Sequence, residues 1–332
     1  MSDENKRGLQ PVEVLDIPFA LPPDYRPPPP PRDPLWPALI LFLLTVVSTL
    51  AVGAEFGLSY AQNREPFSGY ENPFALMMLP FQHPALLVMG IPFSFTLLLI
   101  LFTHEMGHYV ACRIYGINAS YPYFIPAPTL FGTFGAFIRI RAPITTRRAL
   151  FDVGIAGPVA GFAVALPALA YGVATSRIVP GAEDASAVVF GHPLLLRLLC
   201  AQFHPHIDVS LLLLNPVGRA AMVGLLVTAL NLLPAWQLDG GHIMYSLTSQ
   251  RHQRISLAVA LSLIAIGIFT YSYTRALVYP AYGIVLLILS LRFKHPPVYD
   301  PWQPIDPARR AWAVGALVIF VLCFTPWPVM LH

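Results

Sequence analysis

Residues 90–108 read GIPFSFTLLLILFTHEMGH, an apolar run that ends in two histidines and a glutamate. A run of this length and composition predicts a helix that crosses a membrane. Titratable side chains are costly in hydrocarbon, and where they occur in a membrane helix they indicate function. We therefore expect His104, Glu105 and His108 to belong to a functional site inside the membrane.

The spacing of these three residues indicates a metal centre. Two histidines four positions apart lie on one face of a helix, one turn above each other, so their imidazoles can bind the same ion. Glu105 then lies beside the ion, where it can hold a water molecule. The segment His104–His108 matches the H-E-x-x-H pattern of zinc hydrolases. The motif alone leaves a polar turn at a helix end as the alternative.

The composition of the 332-residue chain indicates a multi-pass membrane protein. Its mean hydropathy is +0.61, and only 11% of its residues are charged. Soluble domains carry about 25% charged residues. The net charge of +3 and the absence of a basic stripe argue against nucleic acid as a partner. The three cysteines form no C-x-x-C pair, so we expect neither disulfides nor cysteine ligands.

Seven apolar runs are long enough to cross a bilayer, and we predict an all-α polytopic fold with about seven transmembrane helices. The runs lie at about residues 36–55, 85–114, 149–175, 216–235, 253–273, 275–294 and 309–328. Pro92 is expected to kink the second run or to separate an interfacial helix from it. In the third run, the spacing of Gly154, Gly157 and Gly161 predicts close packing against another helix.

The basic residues predict the orientation in the membrane. If the N-terminus is cytoplasmic, 15 of the 20 Lys and Arg residues lie in inner segments and 5 in outer segments. This orientation places residues 104–108 near the cytoplasmic face. We expect an integral protein of the bacterial inner (cytoplasmic) membrane, with the lipid bilayer as its environment.

The segment between the second and third runs, residues 118–141, is not helical in pattern. From Ala136 to Arg141 the apolar and polar residues alternate, which is typical of a half-buried strand. We therefore predict a small membrane-associated β-hairpin or strand after the H-E-x-x-H helix, with a plain cytoplasmic loop as the alternative. Gly135 in this strand allows close approach of another backbone, so we expect it to contact substrate.

A catalytic zinc ion needs a third protein ligand and one open position. The fourth run ends with NLLPAWQLDGGH, residues 231–242. Asp239 is the best candidate, because Pro234 breaks the helix and the two following glycines let the backbone turn the carboxylate inward. His242 is the rival ligand, and a simple helix cap is the alternative role for Asp239. Asn231 is a candidate donor to the reacting carbonyl or its oxyanion, or else an interhelical polar contact.

With these motifs the chain resembles the site-2 protease family of intramembrane zinc metalloproteases (M50 type). The resemblance rests on His104–His108, on the segment from Asn231 to Gly241, and on their order with a glycine-proline span between them. Residues 131–158 are similar to a bacterial and plastid branch of that family (EGY-like). The resemblance covers roughly residues 85–295. The outer loop 176–215 is too short for the PDZ domain that many bacterial members carry.

The resemblance implies that His104, His108 and Asp239 bind one catalytic Zn²⁺ ion and that Glu105 is the catalytic base. It also implies an endopeptidase that cleaves transmembrane segments of other membrane proteins near the cytoplasmic face, as in regulated intramembrane proteolysis. The alternatives are a non-cleaving relative that binds membrane helices and a metal-binding transporter. A transporter tends to show internal repeats, which this sequence lacks, and the intact Glu105 argues against a non-cleaving relative.

The expected organisation has four parts. A proline-rich cytoplasmic tail (1–35) precedes the first transmembrane helix and its outer loop (36–84). The catalytic membrane core (85–295) follows, and a C-terminal linker with the last transmembrane helix (296–332) ends the chain.

Overall fold

The computed structural model describes residues 34–67, 82–141, 143–180, 188–298, 300 and 304–331. Its helices are α1 (Leu35–Ala61), α2 (Ile91–Ile114), α3 (Arg147–Ala174), α4 (Leu194–Phe203), α5 (Pro216–Asn231), α6 (Asp239–Leu247), α7 (Ser249–Thr274), α8 (Val278–Arg292) and α9 (Pro307–Cys323). Its strands are β1 (Tyr123–Pro126), β2 (Thr133–Phe137), β3 (Arg177–Ile178), β4 (Val188–Phe190), β5 (Leu212–Leu213) and β6 (Val329–Leu331). The predicted proline-rich tail, up to residue 33, lies outside the described residues.

Four helical segments are long and apolar enough to cross a membrane. They are Leu35–Ala61, Pro84–Ile114, Arg147–Ala174 and Ser249–Thr274. They coincide with four of the seven predicted crossings and are candidates by length and composition. At the other three, α5, α8 and α9 have 16, 15 and 17 residues. A helix of 16 residues rises about 24 Å, which is less than the roughly 30 Å of a hydrocarbon core. Seven full-length crossings are therefore not confirmed.

The second segment is divided at the predicted proline. A 3₁₀ helix, Pro84–Gly90, precedes α2, and Pro92 lies in the first turn of α2, where a missing amide costs no helical hydrogen bond. Gly90 lies directly against α1. A Cβ atom on Gly90 would lie 2.2 Å from the Leu50 carbonyl oxygen. The small residue lets α1 pack closely against the start of the motif-bearing segment.

The helix α2 packs against α3 and α5 through small residues. A Cβ atom on Gly107 would lie 2.4 Å from the Ala156 carbonyl oxygen, and one on Gly224 would lie 2.9 Å from a side-chain carbon of Ile100. The close packing predicted for the glycine-rich third run is thus confirmed. It brings α3 against the two histidines of α2.

A β-hairpin follows α2, as predicted. Strands β1 and β2 pair antiparallel, with Tyr123 opposite Phe137 and Phe124 opposite Ala136. The loop between them is attached to α1, because the Ser48 hydroxyl donates to the Gly132 carbonyl at 2.6 Å. Gly132 has a φ of +76° and contacts the α1 backbone, a place that only glycine fills without strain. The hairpin is therefore held at a fixed position beside α2.

Polar contacts attach the C-terminal helix to α3. The Arg309 guanidinium donates to Asp152 on α3 at 2.8 Å. The Asp306 carboxylate caps α9 by accepting from the Arg309 backbone amide at 2.9 Å, and this hydrogen bond lowers the pKa of Asp306. Beyond the other end of α3, Leu194–Phe203 form the short helix α4.

Candidate metal centre

The helix α2 presents the three residues of the H-E-x-x-H motif inside the protein. His104, Glu105 and His108 are all buried, with at most 7% of each residue exposed. The two Nε2 atoms of the histidines lie 3.1 Å apart. The helical spacing therefore brings the imidazoles together, as the sequence predicts.

Asp239 reaches the same point from the first turn of α6. Its two carboxylate oxygens lie 3.1 Å from His104 Nε2 and 3.2 Å from His108 Nε2. The chain turns sharply between α5 and α6, and the two glycines after Asp239 make this turn possible. A Cβ atom on Gly240 would lie 2.0 Å from the Leu232 carbonyl oxygen, and one on Gly241 would lie 2.5 Å from the Ala235 carbonyl oxygen.

Two contacts hold these ligand-bearing groups in orientation. His108 Nδ1 donates to the Val153 carbonyl on α3 at 2.7 Å, which places the ring proton on Nδ1 and leaves the Nε2 lone pair toward Asp239 and His104. The Arg147 side chain donates to the Ser246 and Leu247 carbonyls at 2.6 and 3.0 Å. Arg147 thereby caps the C-terminal end of the helix that begins with Asp239.

The donor set fits a catalytic zinc ion. The ligand atoms of His104, His108 and Asp239 all lie within 4.8 Å of one another. Two imidazole nitrogens and one carboxylate are a three-ligand set that leaves a fourth tetrahedral position open. His242, the rival third ligand, is not in this cluster. Its Nδ1 lies 2.9 Å from His295 Nε2. The geometry therefore favours Asp239.

Two glycines of α3 form the surface on which the imidazoles lie. A Cβ atom on Gly157 would lie 2.1 Å from His108 Nε2, and one on Gly161 would lie 3.2 Å from His104 Nδ1. Sequence reasoning attributed these glycines to helix packing and missed their contact with the ligands. The sequence did contain a signal for this contact. Gly157 and Gly161 are four residues apart, and so are His104 and His108.

A cavity of about 200 Å³ opens beside the predicted ligands. It is lined by the three ligand residues and Glu105, by Asn231, Gln237, Leu238 and His242, by Val153, and by Ala136, Phe137, Ile138 and Ile140. Asn231 Nδ2 lies 3.4 Å from His104 Nε2, so this predicted donor is at the metal centre. Gly135 is adjacent to the lining residue Ala136 but does not line the cavity.

The outer edge of the hairpin faces this cavity. The Arg139 amide donates to Ser120 Oγ at 2.8 Å, and the Arg139 carbonyl accepts from the Ser120 amide, so Arg139 pairs with the β1 side. Backbone groups alternate along a strand, and the amides of Ala136 and Ile138 therefore point to the other edge. The Ile138 amide interacts with the Glu105 carboxylate there.

The sequence is similar to a family of peptidases and to several zinc metalloproteases. The sequence model of peptidase family M50 matches residues 92–273. The chain is 30% identical over 308 residues to "Probable zinc metalloprotease EGY1, chloroplastic" of Arabidopsis thaliana, covering 87% of this chain and 52% of that protein. It is 28% identical over 305 residues to the protein of the same name from Oryza sativa subsp. japonica, covering 87% and 50%.

A third relative is "Probable zinc metalloprotease EGY2, chloroplastic" of Arabidopsis thaliana, at 27% identity over 263 residues, covering 76% of this chain and 44% of that protein. The chain spans about half the length of the EGY1 proteins. All three relatives are described as chloroplastic, so they give no support to the predicted bacterial inner membrane.

Proposed function

The chain belongs to peptidase family M50, and on that premise we propose that it is a zinc-dependent endopeptidase that cleaves transmembrane segments of other membrane proteins. One observation carries the proposal. His104, His108 and Asp239 come together beside Glu105 in a buried cavity between apolar helices. The names of the relatives, zinc metalloproteases, support both the metal and the reaction.

His104, His108 and Asp239 would hold the zinc ion. When bound, zinc supplies Lewis acidity to the scissile carbonyl and to water. Glu105 accepts the proton of the attacking water and delivers it to the leaving amine. The Asn231 side-chain amide, 3.4 Å from His104, donates to the carbonyl oxygen as negative charge develops on it.

The substrate must unwind before it is cleaved, because a helix keeps its carbonyls in its own hydrogen bonds. Unwound backbone needs new partners, since each unsatisfied group in hydrocarbon costs several kcal/mol. The outer edge of the hairpin offers the Ala136 amide, next to the Ile138 amide that interacts with the Glu105 carboxylate. The substrate therefore binds extended along this edge, in the manner of β-augmentation.

The helices α5, α8 and α9 complete seven crossings in the proposed topology. The helix α5 ends at Asn231 after 16 residues, so its end and the metal centre lie within the depth of the bilayer. The 15-to-5 distribution of basic residues supports an N-terminus and a metal centre on the cytoplasmic side.

The deciding experiment compares the wild-type protein with Glu105→Gln. The wild type in detergent or liposomes should release fragments of a transmembrane substrate. The Glu105→Gln protein should cleave nothing, keep one zinc ion by metal analysis, and capture uncleaved chains that mass spectrometry can identify. Loss of zinc from Glu105→Gln would instead make Glu105 a ligand. A zinc-loaded wild type that cleaves no captured chain would refute the proposed activity.

A further inference from the structure

A second cavity adjoins the catalytic one. Its volume is about 430 Å³, a size common among binding sites for small ligands. The two cavities share Ile138, Ile140, Gln237 and His242 as lining residues. Residues 295–298, in the linker after α8, line the second cavity but not the first. A chain that leaves the catalytic cavity along the hairpin edge would pass His242 as it enters this space.

A hydrogen-bonded chain of two imidazoles lies at the boundary between the cavities. His295 Nδ1 lies 2.8 Å from the Pro296 carbonyl oxygen, and His295 Nε2 lies 2.9 Å from His242 Nδ1. The His295 ring is also stacked on Tyr245, with ring centroids 3.9 Å apart and planes at 16°. These contacts fix the His295 ring.

The direction of each hydrogen bond determines the protonation of both rings. A carbonyl oxygen only accepts, so His295 Nδ1 carries the proton. Burial lowers the pKa of His295 to about 3 and that of His242 to about 4, so both rings are neutral near pH 7. His295 Nε2 is then an acceptor and His242 Nδ1 is its donor. His242 Nε2 is consequently left with a free lone pair.

No protein atom in the described part of the chain forms a hydrogen bond with His242 Nε2, although His242 lines both cavities. We propose that His242 is a substrate-positioning residue whose Nε2 accepts a hydrogen bond from a backbone N–H of the extended substrate. The inference rests on the proposed function, because it takes an unwound polypeptide as the ligand. It gives His242 a role distinct from metal binding.

The physical reason lies in the two edges of an extended chain. One edge of the substrate pairs with the amides and carbonyls of β2. The N–H groups on its other edge also need acceptors, since water is scarce in this setting. A neutral imidazole nitrogen with no other partner is such an acceptor, and His295 keeps it in the accepting tautomer.

Two substitutions of His242 separate its two ring nitrogens. His242→Asn retains a donor near the position of Nδ1 but loses the acceptor at the position of Nε2. His242→Gln places an amide oxygen, an acceptor, near the position of Nε2. Each is made in the Glu105→Gln protein. Binding is measured for a synthetic leucine-alanine transmembrane peptide with a central Asn-Gly pair, which weakens its helix.

We expect His242→Asn to weaken peptide binding about tenfold, which is the effect expected for the loss of one hydrogen bond. His242→Gln should restore most of the lost affinity. Zinc content should be unchanged in both. His295→Phe keeps the stacking on Tyr245 but frees His242 to move its proton to Nε2, and it should also weaken binding. Loss of zinc from His242→Asn, or a His242→Gln protein that binds as weakly as His242→Asn, would overturn the proposal.

A scan with amide-to-ester peptides identifies the backbone group, since an ester lacks the N–H. One ester position should weaken binding about tenfold to the protein with His242 intact and cause no further loss in His242→Asn. If every ester has the same effect on both proteins, no backbone N–H bonds to His242 and the inference is wrong. These measurements need no cleavage, so a failure of the proposed peptidase activity would be seen separately.

Discussion

Gly157→Ala is expected to expel an imidazole from the metal centre while leaving the fold intact. The added methyl group would lie 2.1 Å from His108 Nε2, whereas ordinary contacts begin at 3.4 Å. The ring must therefore retreat by about 1.3 Å, far more than the roughly 0.2 Å that a zinc–ligand bond tolerates. The three nearest atoms all belong to the His108 side chain, so rotation of that side chain relieves the overlap.

The magnitude follows from the loss of one of three ligands. Changes that only reorient a ligand lower zinc affinity 10- to 100-fold. Displacement of the ligand itself should reach at least the upper value, which corresponds to about 2.7 kcal/mol of binding free energy. Gly161→Ala should be milder, with a loss below tenfold, because its methyl group would lie 3.1 Å from His104 Cβ.

The assay is a competition titration of zinc against a chromophoric chelator, with circular dichroism to verify the fold. Gly315→Ala in α9 is the matched control, since its methyl group would meet its nearest neighbour at 3.7 Å. The expected order of zinc affinity is Gly315→Ala, equal to wild type, then Gly161→Ala, then Gly157→Ala. If Gly157→Ala binds zinc as tightly as wild type, His108 does not lie against Gly157 and the reasoning fails.

Three further predictions concern the third ligand, the hairpin and the topology. Asp239→Asn should lower zinc affinity, because an amide oxygen is a poorer ligand than a carboxylate. His242→Ala should leave the zinc content unchanged. The reverse result would make His242 the ligand. Ala136→Pro deletes an amide on the outer edge of β2 and should slow cleavage without loss of zinc. The control, Ala136→Gly, should cleave normally. Equal cleavage rates for the two variants would show that the hairpin does not pair with substrate. The topology is tested with single cysteines in a background that lacks Cys112, Cys200 and Cys323. An impermeant thiol reagent should label Tyr121→Cys only from the cytoplasmic side and Gln62→Cys only from the outside. The opposite labelling pattern would invert the topology.

Patterns within short stretches of sequence were enough to predict the membrane class, the metal motif and the hairpin. Each of these depends on residues close together in the chain: a long apolar run, a spacing of four on one helix, and an alternation over six residues. The link between His104 and Asp239 crosses 135 positions. The sequence suggested it only indirectly, through the need for a third ligand, the helix break at Pro234 and the family resemblance. The apolar runs are longer than the helices α5, α8 and α9, because hydropathy gives the extent of an apolar run and not where its helix ends.

Which helix faces meet is visible only in the three-dimensional packing. Helical periodicity shows that Gly157 and Gly161 share a face, but that face could lie against any neighbouring helix. Only the packing of α3 on α2 places the two glycines under the imidazoles. The pairing of His242 with His295, across 53 positions and two intervening helices, has no local signature at all. Its consequence, a free acceptor at the boundary of two cavities, follows from hydrogen-bond partners that sequence patterns do not specify.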